Sequence, residues 1–260
     1  MEIKAVFFDI DGTLIDVEAD GISIWVKDTL HELQDKGIKI FYATGRPPFF
    51  LPTTKHLEFD GAICFNGAYC YDKDNTIFCK TIRYPDVYNI VYNARRMHKV
   101  TGLCSLSFFG TNGEEDTMEE YMEFSGHRNV VLTDDDFEKF MRKSIFQMMV
   151  CTTPDQDAQL LKGITCVKAV RWWNQAVDLI PAECSKSAGI KKVMDYYGFD
   201  MNECMAFGDG GNDIDMIEAA GIGVAMGNAS DEVKKHADYV TATCRNDGII
   251  GALKHYGLIS

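Results

Sequence analysis

The sequence predicts an α/β fold, a parallel sheet with helices on its faces, interrupted by an inserted α+β region. Three observations predict it. Short continuous apolar runs alternate with helical stretches at both ends of the chain. The middle, residues 83–183, carries strands and helices without that alternation. The 260 residues, 46% hydrophobic and 25% charged, suffice for one large domain or two modest ones.

Residues 5–8, Ala-Val-Phe-Phe, read as a strand buried on both faces. After Ser23, Ile24, Trp25, Leu30 and Leu33 recur at near-helical spacing, and Gly37 is a stop signal. Residues 38–43 form a second strand, and Pro47 and Pro48 suit the first turn of another helix. Residues 62–65 are a third strand. This βαβαβ order implies parallel pairing. The last third repeats the rhythm, with helices over 185–197, 213–220, 230–236 and 247–256 and strands over 204–208 and 222–226. Within the insert, helical stretches at 86–100, 134–141 and 155–161 separate extended ones at 103–109, 144–151, 166–173 and 176–180. That pattern suggests an antiparallel sheet. The expected division is a core from 1–82 plus 184–260 and an inserted domain over 83–183.

A formal net charge of −13 argues against nucleic acid and anionic membranes as partners, because phosphates repel a net anion. It does not exclude a small anionic substrate, since a local site can be positive. The longest apolar run, residues 219–227, is about half a membrane span. The N-terminus has only a four-residue apolar patch before an acid, so no signal peptide is expected. Nine scattered cysteines without a Cys-x-x-Cys pair read as free thiols, and the dispersed histidines give no zinc pattern. A cytoplasmic protein, monomer or homodimer, is expected.

Four motifs carry chemistry. Asp9-Ile-Asp11-Gly12-Thr13 follows the first strand, and its two carboxylates can converge at the sheet edge where open α/β folds bind ligands. An acidic turn is the alternative. Gly208-Asp209-Gly210-Gly211-Asn212-Asp213 follows another strand and offers oxygen ligands for a hard cation. Helix capping would explain Asn212 and Asp213, but not Asp209 between glycines. Thr44-Gly45-Arg46 places a hydroxyl, a backbone N–H and a guanidinium where a phosphate oxygen could sit, although Thr-Gly is also a common strand exit. Lys186 stands in a first helical turn, against the helix dipole; a facing carboxylate cluster or anion would account for that, and a solvated lysine is the other reading. The run Gly221-Ile-Gly223-Val-Ala-Met-Gly227 has one residue too many for a dinucleotide fingerprint, and no P-loop is present.

In this order, the motifs resemble those of the haloacid dehalogenase (HAD) superfamily: Asp9-x-Asp11-Gly12-Thr13, Thr44, Lys186, and Gly208-Asp209-x-x-Asn212-Asp213. Thr44-Gly45-Arg46, Asn66-Gly67-Ala68, residues 220–228 and Asn246-Asp-Gly-Ile are similar to the Cof-type branch, subfamily IIB. The resemblance implies a Rossmann-like HAD core with a C2-type α+β cap, and a phosphatase acting on small phosphorylated metabolites, sugar phosphates first. Pyridoxal phosphate and flavin mononucleotide are alternative substrates. A phosphomutase and a non-catalytic phosphometabolite-binding protein are alternative functions.

The resemblance also implies roles. Asp9 is the nucleophile, forming an aspartyl-phosphate, and Asp11 the acid and then base. Thr44, Gly45, Arg46, Lys186 and Asn212 hold phosphate or substrate. Mg²⁺ is held by the Asp9 carboxylate, the Asp11 carbonyl and Asp209, with Asp213 holding its water shell or orienting Lys186. Arg46, Asn66, Arg171, Trp172, Trp173, Phe49, Phe50 and Tyr69 are candidates for contacting the leaving group, with packing in the cap as the alternative for the aromatics.

Overall fold

Four apolar residues in a row can only be buried on both sides, and β1 (Ala5–Phe8) is: it pairs in parallel with strands on either hand. The computed structural model describes the chain except Met1, Val17, Asp20, Lys55, His56, residues 125–129 and Trp172; the side chains of Tyr121, Glu123 and Phe124 are also outside the description. α1 (Ile24–Asp35) begins where the Ser23 hydroxyl accepts the Val26 N–H, and it buries Val26, Leu30 and Leu33. Ile24 and Trp25, at its first turn, are exposed. β2 (Lys39–Ala43) and β3 (Gly61–Cys64) extend the parallel sheet.

Pro47 and Pro48 open only a single 3₁₀ turn, Pro48–Phe50, not the expected helix. Leu51 precedes Pro52, whose ring disfavours the helical region for its predecessor, and Leu51 is extended at ψ 142°. The hairpin of β4 (Tyr69–Asp72) and β5 (Thr76–Cys79) was not expected from periodicity. Its turn is held by Asp72, whose Oδ1 accepts the N–H groups of Asp74 and Asn75.

In the insert, α2 (Tyr84–Arg96) precedes β6 (Thr101–Cys104) and β7 (Phe109–Thr111), a hairpin where one extended run was expected. The break follows from Ser105, whose N–H donates to the Phe108 carbonyl. Then come α3 (Asp116–Phe124), not anticipated, α4 (Asp134–Met141), β8 (Gln147–Val150), α5 (Asp157–Leu160), β9 (Val167–Val170) and β10 (Val177–Pro181). The strands order as β7-β6-β8-β10-β9, every pair antiparallel. Leu103, Met148, Val150, Val177 and Leu179 of this sheet share a core with Val87, Ile90, Phe137 and Leu160 of the helices.

The last third supplies α6 (Lys186–Tyr197), β11 (Cys204–Gly208), α7 (Ile214–Ala219), β12 (Ile222–Ala225), α8 (Asp231–Lys234), the two-residue β13 (Tyr239–Val240) and α9 (Gly248–His255). The Gly221–Gly227 segment thus lies largely in a strand. The eight-stranded sheet runs β13-β12-β11-β1-β2-β3-β4-β5, parallel up to β3 and antiparallel beyond it.

The chain forms two compact units: Met1–Gly45 with Pro52–Cys79 and Ser185–Ser260, and Lys80–Cys184 with Arg46–Leu51. The short 46–51 segment, assigned by sequence to the flanking halves, goes with the second unit. All nine cysteines are free thiols. Among the described residues no helix is long and apolar enough to cross a membrane.

Candidate active site

β1, β2, β3 and β11 run in the same direction, so Asp9, Thr44, Phe65 and Asp209, the residues that follow them, leave the sheet at one edge. The Asp9 N–H continues the ladder by donating to the Phe207 carbonyl at 3.0 Å. The next turn needs Gly12: its φ is +85°, and a Cβ there would lie 2.2 Å from Asp209 Oδ2.

Lys186 occupies the centre. It is 1% exposed, and its Nζ donates to Asp9 Oδ1 at 2.6 Å and to Asp213 Oδ1 at 2.5 Å. α6 brings it there. The Ser185 hydroxyl caps the helix by accepting the Ala188 N–H, and Asp215 accepts the N–H and hydroxyl of Ser187. Two carboxylates offset the unfavourable dipole position of this lysine. Burial opposes the ammonium, but Asp213 and Asp9 outweigh it and hold its pKa above the ordinary lysine value.

Asp213 is fully engaged. Its Oδ2 accepts the N–H groups of Asp209 at 3.0 Å and Gly210 at 2.9 Å, while Oδ1 takes Lys186. The contact with Lys186 has the geometry that one of the two roles read for it requires. Asp209 accepts the Thr13 hydroxyl at 2.8 Å and the Asn228 amide at 3.2 Å. Asn228 also donates to the Gly12 carbonyl and accepts the Cys244 N–H.

Ligand oxygens of Asp9, Asp209 and Asp213 lie within 4.8 Å of one another. Three carboxylates and one ammonium leave two negative charges uncompensated, the charge of a divalent cation. The pKa directions report the same imbalance. Burial pushes Asp9 well above the carboxylate range against the pull of Lys186, with Asp213, Asp209 and Asp11 adding to the rise. Burial, then Asp213, pushes Asp209 up to about 7. An all-oxygen donor set suits Mg²⁺, so the residues fit the ion the sequence implied. The Asp11 carboxylate is outside this cluster of three; the resemblance implied a metal contact for its backbone carbonyl, not for its side chain.

Thr44 is buried directly after β2, with its N–H donating to Ile63 and its carbonyl accepting the Asn66 N–H. Asn212 donates its side-chain amide to Asn66 Oδ1 at 3.2 Å. Gly45 packs against the Asn66 amide. Asp9, Asp11, Thr44, Gly45, Lys186, Asp209, Asn212 and Asp213 therefore all belong to the first unit.

Arg46 belongs to the second unit, where Nη1 donates to the Phe50 carbonyl at 2.9 Å. Arg171 is structural there: its guanidinium holds the carbonyls of Thr152 and Ala176 and pairs with Asp157. Phe49 and Phe50 contact each other edge to face at 4.5 Å. Tyr69 stacks obliquely on Tyr71 in the first unit, Trp173 lies in the second, and Trp172 lies outside the described residues. Thr13 and Asn228 hold Asp209 although their motifs alone gave them no role. A lone polar residue in a run of small apolar ones, Ala-Met-Gly-Asn, is the signal that could have singled out Asn228.

A family model described as haloacid dehalogenase-like hydrolase matches residues 6–253. The chain belongs to this family. YkrA of Bacillus subtilis, provisionally named a phosphatase, is 34% identical over 261 residues, covering 100% of both chains. The solved HAD subclass IIB sugar phosphatase BT4131 superimposes with a TM-score of 0.90 at 33% identity, over 98% of this chain and 100% of that one. A 5-amino-6-(5-phospho-D-ribitylamino)uracil phosphatase of Bacillus subtilis, YcsE, is 29% identical over 99% of this chain and 97% of its own. These agree with the subclass IIB resemblance and make this HAD chain a phosphoric monoester hydrolase.

Proposed function

We propose that the protein is a Mg²⁺-dependent phosphatase of small phosphorylated metabolites, sugar phosphates first, working through an aspartyl-phosphate. The observation that carries this is Lys186, buried between Asp9 and Asp213 within a carboxylate cluster of net charge two minus. The sugar phosphatase named among the similar structures supports the substrate class. The ribityl-phosphate compound in the name of YcsE is the second reading.

Bound by Asp9, Asp209, the Asp11 carbonyl and the surroundings of Asp213, Mg²⁺ would neutralise charge between the carboxylate nucleophile and the phosphate. Asp9 attacks phosphorus in line, forming an acyl-phosphate bond as the ester P–O bond breaks. Asp11 gives its proton to the departing alkoxide. It then takes a proton from the water that attacks the acyl-phosphate, releasing phosphate and restoring Asp9. Lys186, Thr44, the Gly45 N–H and Asn212 hold the non-bridging oxygens.

The test is phosphate release from a panel of about a hundred phosphorylated metabolites, compared as kcat/KM. Asp9→Asn is expected to abolish turnover, and Asp11→Asn to let labelled phosphate accumulate on the protein. Near wild-type turnover in Asp9→Asn would overturn the assignment. Isomer formation without phosphate release would favour a phosphomutase.

A further inference from the structure

We propose that Asn66 is a positioning residue of the phosphoryl site, fixing Asn212 against the Thr44–Gly45 strand exit. The inference rests on the phosphatase reading above.

Phe65, Asn66 and Gly67 follow β3 with φ of 52°, 50° and 98°. Three left-handed residues in a row, the first a bulky aromatic, form a strained turn. This one turn touches every segment assigned to the phosphate. The Asn66 N–H donates to the Thr44 carbonyl at 3.0 Å. Asn66 Oδ1 accepts the Asn212 amide at 3.2 Å. A Cβ on Gly45 would lie 3.0 Å from Asn66 Nδ2. A Cβ on Gly67 would lie 2.0 Å from the carbonyl of Ser185, the residue before Lys186.

Asn66 is 1% exposed, and its Nδ2 is a buried donor with no hydrogen-bond partner. Backbone strain and an unpaired buried donor both oppose folding. A turn selected for stability alone would carry neither. What the turn secures is the side chain of Asn212, which otherwise stands on a single 3₁₀ turn beside exposed Gly211. Because Nδ2 is buried, Asn66 acts on the phosphate through Asn212 and Gly45 rather than by contact.

Inorganic phosphate as a competitive inhibitor of Mg²⁺-dependent turnover of an aryl phosphate is the probe. Inhibition of the wild type is read first; without turnover and inhibition the phosphatase reading itself falls. Asn66→Gly keeps the left-handed backbone available and removes the side chain. It is expected to raise the phosphate Ki and the substrate KM by about tenfold, the effect of one lost hydrogen bond. In an Asn212→Ala background the same change should add less than about twofold, because the two residues act as a unit. A wild-type Ki in Asn66→Gly, or factors that multiply in the double variant, would overturn the proposal. Should Asn66→Gly fail to fold by circular dichroism, Gly45→Ala replaces it. Gly45 has no positive φ, and its new Cβ presses on the Asn66 amide. The same rise in Ki, lost in the Asn212→Ala background, is expected there, and a wild-type Ki overturns the proposal equally.

Discussion

Asp178→Asn should stabilise the second unit, and increasingly so as pH rises. Asp178 lies in β10 between Val177 and Leu179, 3% exposed, and its Oδ1 has no hydrogen-bond partner. Burial pushes its pKa from the ordinary 3.8 to about 7. Arg171 opposes the shift without cancelling it, its guanidinium being bonded to Asp157, Thr152 and Ala176. Below pH 3.8 the carboxyl is neutral in folded and unfolded chains alike. From there to about pH 7 the unfolded chain releases the proton while the folded one keeps it, so stability falls as pH rises. Roughly three pH units at 1.36 kcal/mol each give about 4 kcal/mol lost by pH 8, and about 2 kcal/mol by pH 5. Asparagine keeps the shape and removes the charge. Urea unfolding at pH 5 and pH 8 measures the difference, followed by tryptophan fluorescence, since Trp172 and Trp173 fall within 80–184. A wild-type midpoint that does not fall between those pH values, or an Asp178→Asn variant no more stable at pH 8, would refute the reasoning.

Lys186→Met removes the ammonium from between two buried carboxylates and should cost about 3–5 kcal/mol in denaturation, with kcat down by about 10²–10³. A variant of wild-type stability and rate would mean that the lysine is solvated in solution. Gly12→Ala forces a Cβ into Asp209 at a φ of +85° and should lose roughly 2 kcal/mol together with activity, whereas Gly37→Ala, at φ +78° with open space, should cost about 1 kcal/mol and leave turnover intact. Urea midpoints and rates of the two variants, measured side by side, check this; equal activities would separate Gly12 from the site. EDTA should silence the enzyme and Mg²⁺ restore it. Asp209 titrates near 7, so the EDTA-treated protein should lose stability as pH rises from about 4 through 7, and Mg²⁺ should raise the thermal midpoint more at pH 8 than at pH 5. An equal shift at both values would detach Asp209 from the cation.

Strand pattern was enough to place the Asp9 and Asp209 motifs at the ends of neighbouring strands. Apolar runs such as Ala5–Phe8 and Cys204–Gly208 can be satisfied only inside a parallel sheet, and that pairing brings Asp9 and Asp209 to one edge although 200 positions separate them. A lysine in the wrong place for a helix dipole left two readings open, a facing carboxylate cluster and a solvated side chain, and the contacts with Asp9 and Asp213 decide for the first. Pro47–Pro48 misled, because Pro52 stops the helix they would begin, and the β4–β5 hairpin was hidden because its short strands, mostly half-buried, carry no apolar–polar alternation. How each polar atom is used emerges when the elements pack. Asp213 could by its motif hold the water shell of a cation or orient Lys186, and three hydrogen bonds turn it toward Lys186 and the backbone of its own loop. Thr13 and Asn228 acquire a role only when the chain folds around Asp209, and Asn66 only when three distant segments close on one strained turn. Periodicity reports which face is buried; it carries no information on which donor finds which acceptor, because that depends on ångström-scale distances between residues far apart in sequence.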